Sequence, residues 1–394
     1  MKRIILSAVL LAAGLLLPPA QGQITVKKVA GFGVDLAGLQ ADGPQGAAFK
    51  RVLQNDLTRS GAFTLVAEGG GYPITGVFTP PATAQITVKS AGFSRSFTAR
   101  DGDPRWLAHM VADALLKAVA DEKPFFCSKI VLAGKKTGSW ELYICDSDGE
   151  NLRQITKDGS LSMYPSWSPD GKTVVFTSYR RRFPDLYTID VNKWEMNLLS
   201  GFNGLNTSGA FSPNGKELAL TLSIDGNPEI YLLRPAVRGG RLFRLTKTPG
   251  AAETGATWSP DGKQLAFVSD SSGSPQIYIL NRDTGAASKV NVNGSENVSP
   301  SWGPDGRIAF CSRRAGRYRI CLYSPETGSV SDLTGDGDNY EDPSWAPDGR
   351  HIVCTRTSGG GNTIYVLDTE GKPSIPLLKV EGSWRSASWS PLLP

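Results

Sequence analysis

The chain has 394 residues, 40% of them hydrophobic and 9% aromatic, with 44 glycines, 26 prolines and a formal charge of +5. The apolar fraction can fill a core and the glycines follow no three-residue period, which excludes a disordered chain and a collagen-like rod. A net charge this small and scattered argues against nucleic acid as a partner. The Arg180-Arg181-Arg182 run and the Arg313-Arg314 pair read as solvated charge in hairpin loops.

From the amino terminus, Lys2-Arg3, an apolar run from Ile4 to Leu17 and the small residues Ala20 and Gly22 have the order of a secretory signal peptide over 1–22. The run is shorter than the ~20 residues a spanning helix needs, and no later stretch is apolar enough, so no transmembrane segment is expected in the mature chain. The first cysteine is Cys127, so none stands at the cleavage point to carry a lipid. Residues 23–43 read as an amino-terminal arm or an edge strand. A small α/β domain is expected over 44–124. Its first helix, Pro44 to Arg59, carries Phe49, Val52, Leu53 and Leu57 on one face and stops at Ser60-Gly61. Strands follow at Phe63–Val66, Tyr72–Thr75, Ala84–Val88 and Phe93–Phe97. A second helix opens with Asp103 as N-cap and Pro104 in the first turn, and aligns Leu107, Val111 and Leu115. His109, on the flank of that stripe, reads as a packing or domain-interface histidine, and His351, opening a strand, as structural.

The rest of the chain, 125–394, is dominated by a repeat. Trp167-Ser-Pro-Asp-Gly171, Phe211-Ser-Pro-Asn-Gly215, Trp258-Ser-Pro-Asp-Gly262, Trp302-Gly-Pro-Asp-Gly306, Trp345-Ala-Pro-Asp-Gly349 and Trp389-Ser-Pro391 recur at intervals of 43 to 47 residues. A period of this length marks stacked supersecondary units. After each turn comes a β-branched stretch such as Thr173–Thr177, then a second strand such as Glu229-Ile-Tyr-Leu232, then a weaker third. With the strand holding the aromatic residue, each unit has four short antiparallel strands, the blade of a β-propeller. The aromatics Trp167, Phe211, Trp258, Trp302, Trp345 and Trp389 are read as structural residues between blades, since they recur whatever the loops do. The last unit supplies only its first strand, and the orphan strands near Lys129–Ala133, Glu141–Cys145 and Leu152–Thr156 supply the other three. Six blades, closed by strands from both ends of the segment, are therefore expected, which leaves no open sheet edge.

Loops before the inner strands should converge on one mouth of the central channel. They bring Tyr164, Asn206, Glu253, Glu296, Asn297, Tyr340, Glu341 and Trp384 as candidates for contact with a protein partner, with the three glutamates reading as an acidic ring. There is no Gly-x-Ser-x-Gly elbow, no HExxH and no nucleotide-binding Gly-rich loop. The loops at Asp146–Gly149 and Asp336–Asn339 lack a full calcium ligand set and read as β-turns. No catalytic residue, cofactor or metal is assigned. The five cysteines include no CxxC. Cys311 and Cys321 would face each other across a hairpin centred near Gly316, and a disulfide is expected there.

The Trp-Ser-Pro-Asp-Gly-Lys repeats with their Ile-Tyr strands, the segment Glu141-Leu-Tyr-Ile-Cys-Asp-Ser-Asp-Gly149, and Asp56–Phe63 with Ala108-His-Met-Val-Ala-Asp113 resemble the TolB family of the Tol–Pal cell-envelope system. The likeness runs over residues 45–394. It implies a non-enzymatic, monomeric scaffold in the periplasm that docks a Pal-like peptidoglycan-associated lipoprotein at the propeller funnel. It also implies coupling to a TolA-like protein through the arm, in support of outer-membrane integrity and envelope constriction at division. By funnel location, Asn206, Glu253, Asn297 and Glu341 become the Pal contacts. The first strand usual after the arm is poorly matched by Gly31 to Gly43, which bears on the TolA coupling. The alternative is a secreted propeller enzyme, a hydrolase or lyase, using carboxylates in the funnel.

Overall fold

In a computed structural model describing residues 31–80, 83–90, 93–335 and 337–394, a small α/β region leads into a six-bladed β-propeller. The expected signal peptide and residues 23–30 of the expected arm lie outside the described residues, as does Asp336. Among the described residues, no helix is long and apolar enough to cross a membrane.

The α/β region comprises β1 (Phe32–Asp35), β2 (Leu39–Gln40), α1 (Gly43–Arg59), β3 (Phe63–Leu65), β4 (Tyr72–Thr79), β5 (Thr83–Ser90), β6 (Phe93–Arg100) and α2 (Pro104–Leu115). The sheet order is β3-β1-β4-β5-β6, with β2 paired to β4. The stretch expected as an arm or edge strand thus places β1 inside the sheet, parallel to β3 on one side and to β4 on the other. Four residues beside a glycine carry too little periodicity to announce a central strand. Helix α1 contributes Phe49, Val52, Leu53 and Leu57, and α2 contributes Leu107, Val111 and Leu115, to one core with Val34, Ile74, Ile86 and Val88. Each such side chain removed from water contributes roughly 1.5–3 kcal/mol. The Asp103 carboxylate accepts from the Arg105 amide at 2.8 Å and starts α2 beside Pro104.

Each propeller sheet has four antiparallel strands, in sequence order in five of the six. Blades 1 to 5 begin with the inner strands Ser162–Trp167, Asn206–Phe211, Glu253–Trp258, Glu296–Trp302 and Asn339–Trp345. Blade 6 joins Trp384–Trp389, near the carboxyl end, to Lys129–Gly134, Glu141–Asp146 and Arg153–Gln154. Its register, Arg385 opposite Ala133 and Trp389 opposite Ile130, closes the ring.

The repeated aromatics tie blades together. Trp167 donates its indole N–H to the Ser388 carbonyl at 3.1 Å, Trp258 to Ala210 at 2.9 Å and Trp345 to Ser301 at 3.0 Å. Each acceptor directly precedes the aromatic of the preceding blade. Trp389 donates instead to the Ser128 hydroxyl at 2.8 Å, and Trp302 to Gly306 in its own turn at 3.0 Å. Three of the turns after them, opened by Ser168, Ser212 and Ser259, repeat one bonding scheme. In the first, the Ser168 hydroxyl donates to Asp170 at 2.6 Å and accepts from the Thr173 amide at 2.9 Å, with Gly171 at φ 68°. Glycine takes that left-handed conformation without steric cost.

All five cysteines are buried free thiols. The hairpin register pairs Phe310 with Cys321 and Cys311 with Ile320. The two thiols are therefore one position out of register and lie on opposite faces of the blade, in different inter-blade cores. The expected disulfide does not form.

Candidate docking face of the propeller

Counting back from the aromatic that ends each inner strand gives three rings of equivalent residues. Five positions before it stand Ser162, Asn206, Glu253, Asn297, Tyr340 and Trp384, all at most 3% exposed. Their backbone explains why: the amides of Asn206, Glu253 and Asn297 donate to the carbonyls of Pro184, Pro228 and Pro275 in the preceding blade at 3.1, 2.8 and 2.8 Å. This ring occupies the seams between blades.

Three positions before the aromatic stand Tyr164, Ser208, Gly255, Ser299, Asp342 and Ser386, every one left-handed with φ between 49° and 64°. In all six blades the pairing register shifts across this point, for example between Met163 and Ser166 and between Glu341 and Ser344. A β-bulge thus re-aims one residue per blade, and these six line a channel mouth of about 530 Å³. The residues one before the aromatic, including Ser166, Thr257 and Ser344, line both this mouth and the opposite one, where the Trp-Ser-Pro turns surround about 400 Å³.

Of the eight candidate contact residues, five (Asn206, Glu253, Asn297, Tyr340 and Trp384) lie in the seams. The Asn206 carboxamide oxygen accepts from the Ser200 hydroxyl at 2.8 Å, and the Asn297 amide donates to Gln276 at 2.6 Å. Trp384 packs against Gly134 so closely that a methyl group there would collide with its ring, and meets Tyr143 edge-on at 5.1 Å. Glu253 accepts from the Thr248 hydroxyl at 2.6 Å. Burial, and then its neighbour Glu229, push its carboxyl above the ordinary range. Burial would raise Glu229 too, but hydrogen bonds from Glu253, Thr246, Arg244 and the Thr248 amide outweigh it and hold Glu229 ionised. Two carboxyls pushed in opposite directions across a blade seam form a structural contact. Glu253→Gln, which keeps a donor toward Glu229, is expected to change stability by under about 1 kcal/mol, whereas Glu253→Ala costs about 2 kcal/mol. Urea denaturation of the two variants checks the difference.

The three glutamates do not form a ring, because Glu253, Glu296 and Glu341 stand five, six and four places before their aromatics. Glu296 binds the Tyr318 hydroxyl at 2.5 Å and Arg313 at 2.6 Å, and these two bonds hold its carboxyl below the usual range. Glu341 lies near Asp342 and Arg385; burial and the Asp342 charge raise it, against the pull of Arg385. Tyr164 alone of the eight reaches the mouth from the bulge ring, half exposed. Asp342, not among the candidates, accepts from Ser386 at 2.9 Å and Ser299 at 3.3 Å and is raised by burial. A sequence signal for the bulge existed in Pro165, Pro300 and Pro343, which interrupt three inner strands just after it.

A second cluster joins the α/β region to blade 6. His109 of α2 bonds Asp56 of α1 at 2.7 Å, both side chains fully buried. Asp146 and Asp148, in the turn of blade 6, come close enough to His109 to share a metal ion with it. Their oxygens are already engaged: Asp146 by Lys129 at 2.5 Å and Asn151 at 2.7 Å, and Asp148 by Arg105 at 2.7 Å. An ammonium and a guanidinium supply the positive charge a metal would bring, so the arrangement fits a domain junction. His109 is thus an interface histidine.

The family model described as the TolB beta propeller domain matches residues 116–393. The Tol-Pal system protein TolB of Bordetella pertussis is 30% identical over 274 residues, covering 61% of this chain and 62% of that protein. The Tol-Pal system protein TolB of Desulfosudis oleivorans is 34% identical over 156 residues, covering 40% of this chain and 35% of that protein. With the first curated relatives the matched stretch spans about a third of their length. The crystal structure of TolB from Acinetobacter baumannii superposes with a TM-score of 0.81 at 25% identity, over 92% of this chain and 97% of that one.

Proposed function

The chain belongs to the TolB β-propeller family, and on that premise we propose that it is a non-enzymatic periplasmic component of a Tol–Pal system. Its bulge-lined mouth docks a Pal-like peptidoglycan-associated lipoprotein, and its amino-terminal region couples to a TolA-like protein. The role is to support outer-membrane integrity and envelope constriction during division. The observation that carries the reading is the match to a solved TolB over nearly the whole of both chains, small α/β region included.

The mouth suits docking better than catalysis. Its lining is mostly small residues, serines and threonines among them, with two tyrosines, Tyr164 and Tyr179, and is broad rather than deep. Its acidic residue Asp342 is tied by two serine hydroxyls, a resting hydrogen-bond arrangement rather than an acid–base pair poised across a substrate. The Pal contacts assigned by funnel location shift accordingly. Asn206, Glu253 and Asn297 hold blades together, and Tyr164, Ser208, Ser299 and Asp342 take their place.

Affinity capture from detergent-solubilised envelope, with the mature chain and a Tyr164→Ala, Tyr179→Ala double variant as baits, tests the proposal. An OmpA-like, peptidoglycan-binding lipoprotein should be recovered by the wild type and lost with the variant. Its absence from both eluates would contradict the docking role.

A further inference from the structure

A propeller of near-identical blades offers a partner nearly equivalent sectors, so an asymmetric partner needs a feature that fixes its rotation about the channel axis. The sector between blades 1 and 2 has one. The loops joining the second and third strands of blades 1, 2 and 3 read Tyr179-Arg-Arg-Arg-Phe-Pro184, Ser223-Ile-Asp-Gly-Asn-Pro228 and Asp270-Ser-Ser-Gly-Ser-Pro275. The fourth position is left-handed in all three, with glycine at φ 114° and 93° in blades 2 and 3 and Arg182 at φ 76° in blade 1. A non-glycine residue there costs about 1 kcal/mol, a strain that suggests a functional site. Arg182 has no carboxylate within ion-pair distance among the described residues.

The loop is ordered by its own bonds: the Arg182 amide donates to Tyr179 at 2.8 Å, and Pro184 accepts from the next blade's Asn206 amide at 3.1 Å. Held this way, Phe183 is 69% exposed; Phe202 in the next loop is 46% exposed, and Tyr164 and Tyr179 at the mouth are 49% and 40% exposed. Contiguity with the Phe202 loop is direct, since a methyl group on Gly201 would stand 3.1 Å from the Arg181 guanidinium. Two carboxylates belong to the patch and are engaged: Asp158 with Arg180 at 3.3 Å and Asp185 with Arg181 at 3.7 Å. Across the mouth, the blade 5 residue of the bulge ring is Asp342, tied to Ser299 and Ser386.

We propose that this preorganised aromatic–arginine patch is the orienting contact of the docking face, and that it takes an acidic protein segment with an apolar side chain at its tip. The proposal rests on the docking role above and specifies the chemistry of the partner's contact. Aromatic residues and arginine are the side chains that dominate interface energetics. The partner's carboxylates face Arg181 and Arg182 while its apolar side chain covers Phe183 and Phe202.

Titration calorimetry of the mature chain with the soluble domain of the captured lipoprotein provides the test. Arg182→Gly should bind roughly tenfold more weakly, with a shallower salt dependence, while melting at the same temperature as the wild type or higher, because the backbone strain is relieved. Phe183→Ser should weaken binding similarly. Lys263→Glu, on a turn of the Trp-Ser-Pro face, should bind as the wild type does. Wild-type affinity in both Arg182→Gly and Phe183→Ser, or an equal loss in Lys263→Glu, would overturn the patch and leave the docking role standing. A wild type that binds anionic phospholipid vesicles but not the lipoprotein domain would overturn both.

Discussion

Replacing Asp113 by alanine is expected to destabilise the attachment of the α/β region to the propeller by about 4 kcal/mol. The Asp113 carboxylate, buried near the end of α2, accepts the backbone amides of Phe125 and Phe126 on one oxygen at 2.9 and 2.8 Å, and of Cys127 on the other at 2.8 Å. The segment it grips is the crossover from one region to the next. Phe125 stacks on His351 of blade 5 at 4.4 Å, and the Ser128 hydroxyl accepts a hydrogen bond from the Trp389 indole N–H of blade 6. Alanine would strand three buried N–H donors, each costing about 1–3 kcal/mol and not fully additive. Asp113→Asn keeps one acceptor oxygen and should lose about half as much. Urea unfolding followed by tryptophan fluorescence should show an early transition in the alanine variant. A midpoint equal to the wild type's would contradict this account of the crossover.

The second large effect is a dependence on pH at the His109 junction. The ring is met by Asp56 from α1 and by Asp146 and Asp148 from blade 6, with Arg105 on its own helix and Arg59 of α1 nearby. Burial alone would lower the His109 pKa, but Asp56 and the two blade 6 aspartates raise it above the ordinary value. Folding therefore tightens the hold on that proton. The stabilisation is complete below about pH 6.5, the unfolded value, and is lost as the pH rises through the higher folded one. Asp56 acts in the same direction: pushed up to about 6, chiefly by burial, it contributes stability below its unfolded range and loses it as the pH rises through 6. His109→Asn, removing one partner of a buried ion pair, should cost about 3 kcal/mol near pH 7, where Asp56 is ionised, and flatten the decline at higher pH. Urea midpoints measured from pH 5 to 9 for both proteins check the slope.

What could be read in the sequence follows from which signals are local. The Trp-Ser-Pro-Asp-Gly turns are complete within a few residues, so the blades, their count and the closing of blade 6 were legible. Helix α2 was legible for the same reason, with Asp103, Pro104 and the Leu107–Val111–Leu115 stripe all in one stretch. Strand β1 was not, because its place is set by neighbours 31 to 38 residues away, with Phe32 opposite Phe63 and Val34 opposite Tyr72. The thiols Cys311 and Cys321 were misplaced by a single residue of register, which in a strand reverses the face.

The contact residues failed for a related reason. Strict alternation puts the residue five before each aromatic at the mouth, but a bulged residue in each inner strand takes that role and sends Asn206, Glu253, Asn297, Tyr340 and Trp384 into the seams. The His109 partners, Asp56 and Asp148, lie on different elements and could not be seen from spacing.

The most direct test of the docking account is amide hydrogen exchange on the mature chain with and without the soluble domain of the peptidoglycan-associated lipoprotein. Slower exchange is predicted at the bulge-ring mouth, in segments 179–184, 202–208 and 339–342, with the Trp-Ser-Pro turns unchanged. Protection confined to those turns, or none at saturating partner, would contradict the assignment of this face.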